Sequence, residues 1–207
     1  MNKIQLNLFS VPLLIYNNLI HQEKIEHIKK VCFDNICENN IFSQFEPSID
    51  KVDNHYNIND YQGNFSSTYK NYFNLLEKIN PNLKFDLLDI LTNLVDEYSL
   101  EFFNKKCFFQ SSWFNSYKDD SFLNFHIHPG ADISGILYLE ATKDSSPLCF
   151  ENHSLVHSYF SPQKNYFFVN AESGMLLLFP SWLKHGFTSS NKDNIRSCLA
   201  FNCKFKN

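Results

Sequence analysis

The chain has 207 residues, a formal net charge of −4 and a pI near 6.0, so no basic surplus marks it for a nucleic-acid partner. Hydrophobic residues make up 43% and charged residues 19%, which excludes a disordered chain and supplies enough apolar surface for one substantial core. No apolar run approaches the ~18 residues needed to cross a bilayer. The opening MNKIQLNLFSVPLLIY has too little basic character and no small-residue cleavage site for a signal peptide. A cytoplasmic, single-domain protein without membrane contact is the expectation.

In chain order, residues 4–17 read as an extended edge segment, because Pro12 has no N–H to donate to a ladder and is confined to an edge or a bulge. Residues 21–37 place Ile25, Ile28, Cys32 and Ile36 at helical spacing. Residues 39–68, rich in Asn, Asp and Ser, favour loop. Residues 69–79 and 85–103 read as amphipathic helices separated by the breaker Asn-Pro-Asn. From Cys107 onward the texture changes. Short runs rich in Phe, Tyr, Ile, Leu and Val alternate with turn signals such as KDDS, PGAD and AESG, the pattern of a sandwich or barrel. The expected fold is therefore α+β but mostly β. A helical N-terminal layer (1–106) packs on a C-terminal barrel (107–207) of about eight strands.

The 6 cysteines include no C-x-x-C pair and are read as reduced, mostly buried thiols. The 22 phenylalanines supply core, some pocket lining and, in exposed aromatic segments, a possible homodimer contact.

Among the 8 histidines, His126 and His128 stand two apart in FLNFHIHPG. On an extended segment i and i+2 face the same way, so both imidazoles can reach one ion, and imidazole suits Fe and Zn. His185, after an apolar strand and a turn, can be brought opposite them by a barrel. Alternation in NIRSCLAFNCKF puts Arg196, Cys198, Ala200 and Asn202 on one face and Ile195, Leu199, Phe201 and Phe205 on the other. The bulky face must meet core, so the arginine faces the barrel interior. A guanidinium there needs an anion: either a protein carboxylate or a ligand carboxylate held in a bidentate clamp. Asp132 is a weaker metal-ligand candidate, beyond the turn. His153 and His157 are read as surface groups, and Trp113 and Trp182 as packing.

Together these residues resemble the Fe(II)/2-oxoglutarate-dependent oxygenases, and in particular the phage and marine-bacterial group of that family. Trp113-Phe-Asn115, His126-Ile-His128-Pro129, Ser134-Gly135-Ile-Leu-Tyr138-Leu139, Gly174 through Phe179-Pro180-Ser181-Trp182-Leu183-Lys-His185, and Arg196-Ser197-Cys-Leu-Ala200-Phe201-Asn202 follow that group's order over residues 107 to 205. The resemblance implies a double-stranded β-helix, the jelly-roll or cupin-like barrel. It implies His126, His128 and His185 as iron ligands and as the catalytic centre. It implies Arg196 and Tyr138 on the distal carboxylate of 2-oxoglutarate, with Asn115 and Ser134 in or beside the cofactor pocket. The implied activity is a dioxygenase of hydroxylase type that uses O2, releases succinate and CO2, and acts on a small molecule or a protein side chain. One departure stands out: the broad family uses two histidines and a carboxylate, whereas His128 is neutral. A cupin-like three-histidine metal protein that does not use 2-oxoglutarate, and a non-enzymatic structural barrel, are the rival readings.

Overall fold

The structure, a computed structural model, describes residues 2–8, 11–38, 61–62, 65–67, 74–117, 121–142, 144–153, 165–187 and 196–206. The first segment is a hairpin, β1 (Asn2–Leu8) and β2 (Val11–Asn17), where a single edge strand was expected. Pro12 explains how a proline sits in the inner strand. The ladder from β2 to its other neighbour runs only from Leu14 to Tyr16, so the missing N–H falls beyond it. Helix α1 (Gln22–Glu38) follows and buries Ile25, Ile28 and Cys32. Two short strands, β3 (Tyr61–Gln62) and β4 (Phe65–Ser67), interrupt the stretch expected to be loop; residues 39–60 lie outside the described residues.

The helix expected over 69–79 is seen as α2 (Leu75–Ile79), its earlier part lying outside the described residues. The Asn-Pro-Asn breaker forms a single 3-10 turn, because Pro81 removes a helical donor. In α3 (Leu87–Phe103), Asp86 caps the start by accepting from Asp89 N at 2.8 Å, and Asn104 ends it in the left-handed conformation. Leu87, Leu91, Leu94, Val95 and Tyr98 form its buried stripe, and Tyr98 Oη donates to Pro12 O at 3.0 Å, tying helix to hairpin.

Eight strands follow among the described residues, as the texture after Cys107 predicts: β5 (Cys107–Tyr117), β6 (Phe122–Leu123), β7 (Ile133–Glu140), β8 (Leu148–Glu151), β9 (Tyr166–Val169), β10 (Leu176–Pro180), β11 (His185–Phe187) and β12 (Arg196–Phe205). The major sheet is antiparallel, in the order β1-β2-β10-β7-β12-β5-β4. Opposite it lie β11-β8-β9 and the pair β3-β6, joined through a bridge between His126 and His185.

The pleat sorts side chains into two cores. Phe114, Leu137, Leu139, Leu176, Leu178, Leu199 and Phe201 face outward, beneath the helices. Leu13, Ile15, Ile136, Tyr138, Leu177, Phe179 and Cys198 face inward, against Leu148, Phe150, Leu183 and Phe187 of the second layer. Gly135 is required where β7 passes the Phe201 ring, since a Cβ there would meet ring atoms at 2.0 Å. Register does the rest. Cys198 pairs with both Tyr138 and Asn115, and Asn202 with Ser134, so the inward residues of β5, β7 and β12 converge on one chamber. No helix among the described residues is long and apolar enough to cross a membrane.

Candidate metal centre

His126 and His185 exchange backbone hydrogen bonds, N to O at 2.9 and 3.0 Å, so the chain beyond β6 is stitched to the head of β11. His128 N donates to Ser181 O at 2.9 Å and anchors the other end of that segment. Gly186 permits the approach, because a Cβ there would lie 2.7 Å from Leu123 O. The three rings then meet inside the barrel. One nitrogen from each lies within 4.8 Å of the others, and ring centroids are 4.5 to 5.1 Å apart.

Their protonation is set from behind. His126 Nδ1 lies 2.9 Å from Asn124 O, and His185 Nδ1 lies 2.8 Å from Leu183 O. A carbonyl only accepts, so both Nδ1 atoms carry the proton and both Nε2 atoms present lone pairs. His128 Nδ1 lies 2.6 Å from Asn202 Oδ1. Burial lowers the pKa of all three. The neighbouring imidazoles add to this at His128 and His185, and His128 is brought down to about 3. The triad is neutral.

His126 Nε2 and His128 Nε2 are 3.1 Å apart. Two lone pairs that close repel unless a cation lies between them. Nitrogens each roughly 2.1 Å from one metal ion and at right angles to each other are about 3 Å apart. The donor set therefore fits a first-row metal ion. Asp132 does not compete: its carboxylate accepts from Phe205 N at 2.8 Å and lies 3.5 Å from Lys204 Nζ. His153 packs edge-on against Trp182, which is 48% exposed rather than packed in core. His157 lies outside the described residues.

A pocket opens beside the triad, lined also by Arg196, Trp113, Asn115, Leu148 and Phe187. No described residue lining it is acidic. Arg196 is 1% exposed. Its Nη1 donates to Ser146 O and its Nη2 to Tyr138 Oη, each at 2.6 Å, and Phe187 stacks on the guanidinium at 3.8 Å. Nε has no partner, and no carboxylate pairs with the charge among the described residues. Of the two anions the sequence left open for this arginine, the protein one is absent among those residues. Burial pushes the Tyr138 phenol up to about 12, against the opposing pull of Arg196, so it keeps its proton and can donate.

Asn115 is held on the wall with its amide oxygen 3.0 Å from Trp113 Nε1 and 3.3 Å from Tyr117 Oη, and its nitrogen 2.7 Å from Ser67 Oγ. Ser134 stands behind His128 rather than on the cavity wall, 3.2 Å from Nδ1. Sequence reasoning missed Asn202 and Ser181 as members of this cluster. The signal for Asn202 was present, since it shares the inward face of β12 with Arg196.

A two-layer β-barrel thus brings three convergent imidazoles, and an arginine with no carboxylate partner among the described residues, into one chamber. Residues 111–202 match the model of the family described as "Putative 2OG-Fe(II) oxygenase". That match falls within residues 107 to 205, the stretch whose motifs carry the resemblance. No curated protein matches significantly.

Among solved structures, a prolyl hydroxylase from Trichoplax adhaerens in complex with a hypoxia inducible factor peptide is similar at TM-score 0.62 and 13% identity, over 95% of this chain and 85% of that one. HygX from Streptomyces hygroscopicus, with nickel and 2-oxoglutarate bound, gives 0.58 and 12% over 94% and 83%. The viral collagen prolyl hydroxylase of Paramecium Bursaria Chlorella virus-1, as its 2-oxoglutarate complex, gives 0.57 and 10% over 92% and 94%. At such identities the likeness shows the fold, a double-stranded β-helix with an N-terminal helical layer.

Proposed function

We propose that the protein is an Fe(II)- and 2-oxoglutarate-dependent dioxygenase that hydroxylates its substrate. The observation that carries this reading is a buried guanidinium, without an anion among the described residues, in the same chamber as three neutral imidazoles. The triad supplies a seat for a cation, and Arg196 supplies one for a carboxylate. His126, His128 and His185 would hold the metal through Nε2. Arg196 would grip the distal carboxylate of 2-oxoglutarate through its free Nε–H and a neighbouring Nη–H, with Tyr138 Oη donating to the same group. Bound together, iron and 2-oxoglutarate supply the O2-dependent chemistry that yields succinate and CO2 and oxidises a substrate C–H bond.

The chain's own part is orientation and exclusion. Phe187 and Leu148 wall the arginine end against water, and Trp113 and Asn115 brace the wall beside His128. The substrate belongs to one of two kinds, a small molecule or a protein side chain. HygX has been solved with hygromycin B bound, and the Trichoplax enzyme with a peptide. Loops on a rigid scaffold carry specificity, so we assign the grip on substrate to 39–68 and the turns near 119 and 143–164, which lie largely outside the described residues. Free, buried cysteines at 32, 107, 149, 198 and 203 suit a reducing compartment, and we place the protein in the cytoplasm. The homodimer expected from the aromatic segments gains no support.

Anaerobic titration with Fe(II) and then 2-oxoglutarate tests the proposal. A metal-to-ligand charge-transfer band and succinate release on admitting O2 are expected. Metal binding without either would favour the cupin-like reading, which the three-histidine set also suits.

A further inference from the structure

Two of the three candidate ligands are oriented by backbone two residues away, Asn124 O for His126 and Leu183 O for His185. Such partners come with the local chain path and do not depend on residue type. His128 differs. Its Nδ1 partner is a side chain, Asn202 Oδ1, from a strand 74 residues on and at only 2.6 Å. Asn202 is itself fixed. Ser134 Oγ donates to the same Oδ1 at 2.9 Å, and Ser134 is 2.8 Å from Ser181 Oγ. All three residues are buried, and the backbone carbonyl of Ser181 holds His128 N.

We infer that Asn202 is the positioning residue that makes His128 a metal ligand, and that it tunes how strongly this imidazole donates. The inference rests on the metal-centre reading above. The physical reason is that a ligating imidazole needs its distal N–H fixed by an acceptor, which sets both the tautomer and the basicity of the ligating nitrogen. Without Asn202 Oδ1, the His128 ring can turn or take the other tautomer, which would put a proton on the atom facing His126. A carboxylate in place of the amide would accept more strongly and push negative charge toward the ring. It would restore, one bond network further out, the charge that His128 lacks compared with an aspartate or glutamate ligand.

The test uses metal-free full-length protein titrated with Co(II) and followed by its visible d–d absorption, with far-UV circular dichroism to establish folding. Asn202→Leu is expected to bind Co(II) about 10- to 100-fold more weakly than wild type. Asn202→Asp is expected to bind at least as tightly as wild type, with the d–d bands displaced; a merely structural role would not move them. A folded Asn202→Leu protein with wild-type affinity would overturn the inference. So would an Asn202→Asp protein that binds ten times more weakly than wild type, and that variant decides alone if the leucine variant fails to fold. Wild-type protein that binds no Co(II) would sink the metal centre along with the inference. Wild-type binding with unaffected variants would sink the inference only.

Discussion

Replacing Arg196 by Met separates the proposed cofactor role of this residue from its structural one, because the two pull stability in opposite directions. In the cofactor-free protein the guanidinium is 1% exposed with no anion among the described residues, and a buried uncompensated charge costs several kcal/mol. Methionine keeps the apolar contact with Phe187 but strands Ser146 O and Tyr138 Oη, at about 1–3 kcal/mol each. These contributions nearly cancel, so the stability of the cofactor-free variant should fall within about 2 kcal/mol of wild type. Cofactor binding has no such compensation. Two charge-assisted hydrogen bonds to a carboxylate contribute roughly 3–6 kcal/mol, which is about 10²- to 10⁴-fold in the 2-oxoglutarate requirement. Succinate release as a function of 2-oxoglutarate gives the requirement, and urea unfolding with and without 2-oxoglutarate gives the stabilisation. At a hundredfold excess over its dissociation constant the cofactor should stabilise wild type by about 2.7 kcal/mol, and the variant by almost nothing at that concentration. A variant whose requirement stays within about threefold of wild type, or that is stabilised equally, would refute the clamp.

His185→Ala should abolish iron-dependent 2-oxoglutarate turnover and weaken Co(II) binding while leaving a folded barrel; succinate measured at the wild-type rate would remove His185 from the site. The metal-free protein should lose stability as pH falls below about 6.5, because the unfolded chain takes up protons on histidines that the folded state keeps neutral. His128, held at about 3 by burial, accounts for about 2 kcal/mol of that loss by pH 5, and urea midpoints that do not move between pH 7 and 5 would contradict its burial as a neutral base. Metal and 2-oxoglutarate should bind cooperatively, since a divalent cation beside Arg196 finds no acid among the described residues of the cavity wall until the dianion arrives. Co(II) affinity is expected to rise about 5- to 150-fold with saturating 2-oxoglutarate, and an unchanged Co(II) isotherm would refute the charge argument.

The C-terminal barrel was legible because strand alternation is a local signal. The inward face of β12 could be read from Arg196, Cys198 and Ala200 alone, since apolar bulk at Leu199 and Phe201 had to go the other way. The N-terminal hairpin was not legible. Leu6, Leu13, Leu14 and Ile15 give a nearly continuous apolar run across its turn, so alternation could not mark where one strand stopped. The restriction that Pro12 imposes was applied to the whole segment, when it governs only the few residues facing β10.

At the site the same distinction decides what could be read. His126 and His128 carry their relation in their spacing, and Arg196 carries its burial in its neighbours. That the arginine would lack a protein anion among the described residues was left open, because pairing depends on what lies opposite; β7, the turn before β8 and β11 offer it a phenol, a carbonyl and an aromatic face. The Asn202–Ser134–Ser181 network shows the limit most clearly. Serine and asparagine are unremarkable in any one strand, and only the register of β12 on β7, with Asn202 opposite Ser134, and of β7 on β10 turns three ordinary polar residues into one acceptor aimed at Nδ1 of His128. A neutral imidazole in the proposed ligand position makes that acceptor matter more than a carboxylate ligand would. A carboxylate brings its charge with it, whereas an imidazole has its tautomer and donor strength set by whatever stands behind the ring.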